Sequence, residues 1–425
     1  MTVVSTPSAT VWTALFCVML LAGLLTRLWL AQRQVRHVAR HRGTVPATFA
    51  GTVDLVAHQK AADYTAAKVR FGVIESAFAA AVLVGWTLLG GLDALNLALH
   101  SVLGAGMVQQ LALLGGFFLI GGLLEGPLAW YRAFRLEQRF GFNKMTLGLW
   151  LSDGIKGACV GALIGLPIAA LVLWLMEAAG SLWWLWAWAV WMAFNLLLLV
   201  LYPTLIAPLF NKFEPLQDAA LRQRIEGLMA RCGFTAKGLF VMDGSKRSAH
   251  ANAYFTGFGP AKRVVFFDTL LQRLAPGEID AVLAHELGHF KHRHIAKRLV
   301  TMFAVSLAGF ALLGWLSGQV WFYTGLGVTP NFTSANSALA LLLFLSVVPL
   351  FAFFITPLTS HLSRQHEFEA DAYAVQHANG HDLAQALLKL YKDNASTLTP
   401  DPLFVKFYYS HPPAAERLAR LPGVA

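Results

Sequence analysis

Charge is scarce in this chain. Only 13% of its 425 residues are Asp, Glu, Lys or Arg, whereas 56% are hydrophobic, and the mean hydropathy is +0.55. That balance excludes an ordinary soluble enzyme of this length and leaves a multispanning membrane protein. Cysteine is scarcer still: Cys17, Cys159 and Cys232 lie far apart, which excludes a disulfide framework and a cysteine-built metal site. Neither an internal repeat nor a long low-complexity tract interrupts the chain. Lys and Arg are missing altogether from the segment before residue 11 and from residues 100–106, 178–181 and 323–335.

What is present are seven apolar windows long enough to cross a hydrocarbon core of about 30 Å, at 11–31, 72–99, 107–131, 157–177, 182–210, 299–322 and 336–358. The first window resembles a signal peptide in length, but its leader carries no Lys or Arg and a basic run from Arg33 to Arg42 follows it, so an uncleaved helix is expected. The basic residues fall in alternate loops, at 32–70 and 132–156, and the loops between them have none. By the positive-inside rule the N-terminus is outside, and residues 211–298 and 359–425 face the cytoplasm. The formal net charge of +10 sits in these bilayer-facing loops, where topology and anionic lipid account for it without nucleic acid. Inside the spans Glu75, Glu125 and Asn195 stand out; the two glutamates either pair with loop arginines or line a wet interior.

Between the fifth and sixth windows lies an α+β insert. It reads as a helix near 216–232, strands at 238–242, about 250–256 and 263–267 with a glycine turn at Gly257 making a hairpin, and two helices leading to His285-Glu286-Leu287-Gly288-His289. Pro276 and Gly277 mark a helix start, with Glu278 and Asp280 in its first turn. Histidines at i and i+4 share one helix face, so both imidazoles reach one tetrahedral metal. Glu286 points to the neighbouring face, where it can take a proton from an attacking water. A third ligand must come from elsewhere. In Ser363-Arg364-Gln365-His366-Glu367-Phe368-Glu369-Ala370-Asp371, Glu367 and Asp371 are i and i+4; Glu367 can ligate while Asp371 holds the other ring nitrogen of a liganding histidine. Glu369 points away and reads as solvated or salt-bridged. His292 and His294, set among Lys291, Arg293, Lys297 and Arg298, read as a basic helix end rather than ligands, and His250, His366, His377 and His381 as non-ligands. Asn252, at a strand upstream of the metal helix, would face a substrate backbone paired to that strand.

HELGH at 285–289, Glu367 to Asp371, NAYFTG at 252–257 and SHPPAAER at 410–417 together resemble the integral-membrane CAAX prenyl protease family of zinc metalloproteases, as do the seven spans and HQKAADYTAAK at 58–68. The resemblance covers nearly the whole chain. It implies a ring of seven helices around a water-filled intramembrane chamber, with one Zn2+ held by His285, His289 and Glu367 and with Glu286 as general base. It also implies Asn252 and Ala253 on a substrate-binding strand, and His411 and Arg417 near the reacting carbonyl or the substrate's C-terminus. Taken alone, Ser410-His411-Pro412-Pro413 is also an ordinary turn and helix start. The implied partners are a peptide or lipidated peptide and membrane lipid, and the sequence sets no oligomeric state. The Ala- and Arg-rich, Lys-poor composition points to the inner membrane of a bacterium. Rival readings are a quality-control membrane metalloprotease of the heat-shock type, and a transporter or scaffold with structural zinc. The second pair would need an interrupted-span repeat or a fourth protein ligand, and neither is found.

Overall fold

A computed structural model of the chain describes residues 7–235, 238–256, 263–331 and 334–421. Seven of its helices are long and apolar enough to cross a membrane, over Ser8–His41, Leu55–Trp86, Met107–Glu137, Leu147–Ala178, Gly180–Leu209, His294–Leu316 and Ser337–His377. They are built on α1 (Pro7–His41), α2 (Leu55–Trp86), α4 (Met107–Tyr131), α5 (Leu147–Ala178), α6 (Trp183–Leu201), α10 (His294–Leu316) and α12 (Ser337–Ala352), with α3 (Gly91–Leu103) between α2 and α4. Each expected window overlaps one of them, although 299–322 runs past the end of α10 at Leu316, and two expectations need correction. The window at 72–99 is broken: α2 ends at Trp86 and Gly90, at φ 77°, reverses the chain into α3. A Cβ at Gly91 would lie 2.6 Å from the Gly85 carbonyl oxygen, so this approach requires glycine; an apolar run carries no trace of it. The basic segment 32–70 is mostly helix rather than loop. At 35 and 32 residues, α1 and α2 are each about 50 Å long, and their charged ends extend beyond the apolar slab.

Packing proceeds α1 on α2, α3 on α2 and α4, α4 on α5, α5 on α6, α6 on α10, α10 on α12 and α12 back on α1, which closes a ring. A core containing Phe16, Leu113, Leu173, Trp183, Phe322 and Leu342 fills the end whose loops lack Lys and Arg. There Gln110 donates to Glu177 at 2.6 Å and accepts from the Ala338 amide at 3.0 Å, which satisfies polar groups that burial would otherwise penalise. Toward the other end lie two open cavities, one of about 780 Å³ bordered by α1, α2 and residues from 251–252 and 387–417, the other of about 740 Å³ between α1, α2, α4 and residues 346–353. Glu75 pairs with Arg132; Glu125 lines the smaller cavity with no ion pair among the described residues. Asn195 only donates back to the Trp191 carbonyl, at 2.7 Å.

The insert forms a four-stranded sheet in the order β1 (Phe213–Pro215), β2 (Gly238–Met242), β4 (Arg263–Phe267), β3 (Ala253–Thr256). Strands β2 and β4 are parallel and the other pairs antiparallel. β3 pairs with β4, Ala253 opposite Phe266 and Thr256 opposite Arg263, and is an edge strand. The expected strand over 250–256 thus begins at 253, and β1, three residues ending in proline, was not foreseen. The expected glycine turn at Gly257 lies outside the described residues. Helix α7 (Ala219–Arg231) starts where Asp218 accepts from the Leu221 amide at 2.9 Å. After α8 (Asp268–Leu271) comes α9 (Pro276–Lys291), capped by Glu278 on the Ala275 amide at 2.7 Å. Past α11 (Val320–Thr324) and α12 the chain continues as α13 (Thr356–His377), α14 (Gly380–Asp393), α15 (Pro402–Tyr408) and α16 (Ala414–Leu418).

Helices α13, α14 and α7 pack on α9 around a second core that includes Ile225, Val264, Phe266, Leu283, Leu287 and Leu387. Arg247, held by Asp153 at 2.8 Å, fastens the insert to α5, and the Ala249 amide, donating to the Phe142 carbonyl at 3.0 Å, fastens it to the segment joining α4 and α5. Arg33 to Asp401, at 2.9 Å, fastens α15 to α1.

Candidate active site

Helix α13 packs closely against α9 at Gly288, where a Cβ would meet the Ala370 Cα at 2.9 Å and the Tyr373 Cβ at 3.1 Å. This approach brings Glu367 to the two histidines of α9. His285 Nε2 and His289 Nε2 are 3.3 Å apart, and each lies 3.4 Å from a Glu367 carboxylate oxygen. Donor atoms of these three residues all lie within 4.8 Å of one another.

The ring orientations follow from the partners behind them. His285 Nδ1 donates to Asp371 Oδ1 at 2.8 Å, so its Nε2 presents a lone pair. His294 Nε2 donates to Glu369 Oε2 at 2.8 Å, which leaves His294 Nδ1 to accept from His289 Nδ1 at 2.9 Å. His289 Nε2 is then bare as well. Two lone pairs and a carboxylate facing one point repel unless a cation lies between them, and among the described residues the buried Glu367 Oε2 has no hydrogen-bond donor. This donor set fits a metal. Burial opposes charge on His285, yet the carboxylates of Asp371 and Glu367 outweigh it and carry its pKa up to about 9; they favour a cation at this spot, a proton on Nε2 or a metal in its place.

The remaining expected residues gather here too. Glu286 is half-buried on α9, and burial pushes its carboxyl up against the smaller pull of His285 and His289. Arg417 on α16 is buried and bound to Asp371 through Nε at 2.8 Å and Nη2 at 2.6 Å, its Nη1 lying 3.9 Å from Glu367. Its guanidinium therefore acts on His285 through Asp371. His411 opens into the larger cavity, with Nε2 3.4 Å from Glu367 Oε1 and Nδ1 2.9 Å from the Ser410 hydroxyl; burial pushes its imidazole pKa down. Asn252 lines the same cavity, its side-chain oxygen 2.9 Å from the Ala253 amide at the start of β3.

His294 and Glu369 are the contacts the sequence reading missed. Arg293, at φ 56°, breaks the chain between α9 and α10 and folds His294 back onto His289, a return that helical spacing does not register. Asn394, which holds His250 at 3.1 Å and the Ala251 amide at 3.2 Å beside β3, was also missed. His366 stacks on His294, and His377 and His381 lie away from the three donor atoms, at the Tyr373 carbonyl and at the Asn379 cap.

Fold and site define a class: a membrane-embedded metalloendopeptidase with its donor set beside the larger cavity, reached through His411 and Arg417, which line that cavity and lie next to Glu367. Residues 34–212 match the family described as CAAX prenyl protease N-terminal, five membrane helices, and residues 215–425 match peptidase family M48. CAAX prenyl protease 1 of Saccharomyces cerevisiae is 34% identical over 424 residues, 93% of this chain and 92% of that protein. A CAAX prenyl protease 1 homolog of Arabidopsis thaliana is 37% identical over 334 residues, 78% and 76% of the two chains. The crystal structure of S. mikatae Ste24p superposes with a TM-score of 0.90 at 30% identity, covering 96% of this chain and 98% of that one. The chain belongs to peptidase family M48, with the membrane region of the CAAX prenyl proteases.

Proposed function

We propose that this protein is a zinc endopeptidase that releases the C-terminal tripeptide from proteins carrying a lipidated C-a-a-X tail. The observation that carries the metal assignment is the donor spacing. The edge of a tetrahedron with bonds of about 2.0–2.1 Å is about 3.3–3.4 Å; His285 Nε2 and His289 Nε2 are 3.3 Å apart, Glu367 Oε2 lies 3.4 Å from the first and Glu367 Oε1 3.4 Å from the second, and one donor atom from each residue lies within 4.8 Å of the others. The names of the relatives support the substrate class, and the apolar-walled 740 Å³ cavity between membrane helices suits a lipid-bearing peptide. The alternation of basic and charge-free loops supports an N-terminus outside and an active site, with residues 211–298 and 359–425, on the cytoplasmic side. Composition, rather than the relatives named above, supports a bacterial inner membrane.

In this reading His285, His289 and Glu367 hold the zinc, Asp371 and His294 fix the two imidazoles, and Arg417 fixes Asp371. When bound, zinc polarises the scissile carbonyl and lowers the pKa of water toward about 7. Glu286 takes the proton of the attacking water and returns it to the leaving amine nitrogen. His411, beside Glu367, donates to the carbonyl oxygen as its charge grows. The substrate adds a strand along the open edge of β3, at Ala253, with Asn252 on its backbone.

Purified protein is expected to cleave a farnesylated C-a-a-X peptide after the cysteine and to cleave its non-lipidated twin more slowly. Equal rates on both would reject lipid recognition, and no cleavage of either would reject the tripeptide-releasing reading. His294→Ala, by freeing the His289 ring, is expected to weaken zinc binding about 10- to 100-fold, read as the chelator concentration that strips half the metal. Unchanged affinity would mean that His294 does not orient the ligand.

A further inference from the structure

Several basic side chains in or near the ring have a carboxylate: Arg132 has Glu75, Arg33 has Asp401, Arg247 has Asp153 and Arg417 has Asp371. Lys68 and Arg27 do not. Among the described residues neither forms an ion pair. The Lys68 ammonium lies 4.5 Å over the Tyr64 ring and the Arg27 guanidinium 3.9 Å over Phe353. The charged groups that act on Lys68 are Arg132 and Glu137, and Glu137 accepts from the Tyr64 hydroxyl at 2.8 Å.

Both cations line the 780 Å³ cavity that His411, Arg417 and Asn252 also line, and no Asp or Glu lines it among the described residues. Lys68, Gly72 and Ser76 follow one another at i, i+4 and i+8, so one face of α2 borders the cavity. Arg27, Gly72 and Ser76 also line the second, 740 Å³ cavity, whose wall includes Phe78, Trp86, Phe117 and Phe118 together with Glu125 and the Arg132-paired Glu75. A cavity lined by two cations without an ion-pair partner and by no acid among the described residues favours an anion. Arg417 cannot supply that contact, being fastened to Asp371.

We propose that Lys68 and Arg27 bind the free C-terminal carboxylate of the peptide being cut. The assignment rests on the tripeptide-releasing reading above and deepens it. Three extended residues span at most about 10–11 Å, and a tripeptide fits the larger cavity by volume. A carboxylate held at one end of that cavity and a scissile carbonyl held at the metal end set the number of residues released. The enzyme then selects for a free chain end rather than for particular side chains.

The test uses the full-length protein and one lipidated peptide in two forms, with a C-terminal acid or a C-terminal amide. For wild type, kcat/KM on the acid is expected to exceed that on the amide about 10- to 100-fold, the scale of a charge-assisted contact. In the Lys68→Gln, Arg27→Gln double variant the acid-to-amide ratio is expected to fall to about one. Lys68→Arg, which keeps the charge, should retain most of the preference, and equal zinc content across the variants excludes misfolding. A wild-type ratio of one, or a ratio preserved in the double variant, would overturn the assignment. Failure of wild type to cut either form would overturn the tripeptide-releasing reading and this assignment with it.

Discussion

Glu286→Gln is expected to abolish peptide hydrolysis while leaving the fold and the metal in place. The amide is nearly isosteric with the carboxylate but cannot accept the proton of the attacking water, and removal of a positioned general base costs about 10²–10⁴-fold in rate. Glu286 is not one of the three residues whose donor atoms converge, so metal content should stay at one ion per chain. His285→Ala should differ sharply: it removes a ligand and leaves Asp371 and Arg417 with a buried, unfilled partner position, so metal and activity should go together. Retention of full turnover by Glu286→Gln would show that another group carries the proton.

Gly288→Ala carries the second large effect, because it acts on the distance between the helices that supply the ligands. The new Cβ would stand 2.9 Å from the Ala370 Cα and 3.2 Å from its carbonyl oxygen. Those are backbone atoms, which cannot rotate away, so α13 must shift by several tenths of an ångström. Overpacking of this kind costs about 1–3 kcal/mol. Metal sites tolerate only about 0.2 Å in ligand position, so Glu367 should lose register with His285 and His289. A fall of about tenfold or more in zinc affinity and a lower Tm are expected. Gly161→Ala serves as the comparison, because a Cβ there meets nothing within 4 Å. Normal zinc affinity in Gly288→Ala would show that the spacing of α9 and α13 does not govern the site.

Local periodicity explains which parts of this molecule could be read from its sequence. His285, His289, Glu367 and Asp371 are legible because i and i+4 spacing on a helix converts directly into a shared face. The seven spans are legible because lipid demands long apolar runs, whatever packs against them. The end of α2 is not legible, since the reversal depends on Gly90 at positive φ and on the approach of Gly91 to Gly85, which hydropathy ignores. His294 is hidden for a similar reason: Arg293 carries it out of the helical register and back to His289. Gly288 reads as a spacer in the motif until α13 is seen against it. Arg417 was placed near the reacting groups by resemblance alone, and its hold on Asp371 depends on a contact across 46 residues.

The central claim is that two imidazoles and one carboxylate hold a zinc ion beside a base that is not itself a ligand. It is tested most directly by metal analysis and zinc-edge X-ray absorption on purified wild-type and Glu286→Gln protein. The expected result is one zinc per chain in both, with an identical first shell of nitrogen and oxygen at about 2.0–2.1 Å and two imidazole signatures. Sulfur in the shell, or a first shell that changes when Glu286 becomes glutamine, would contradict it.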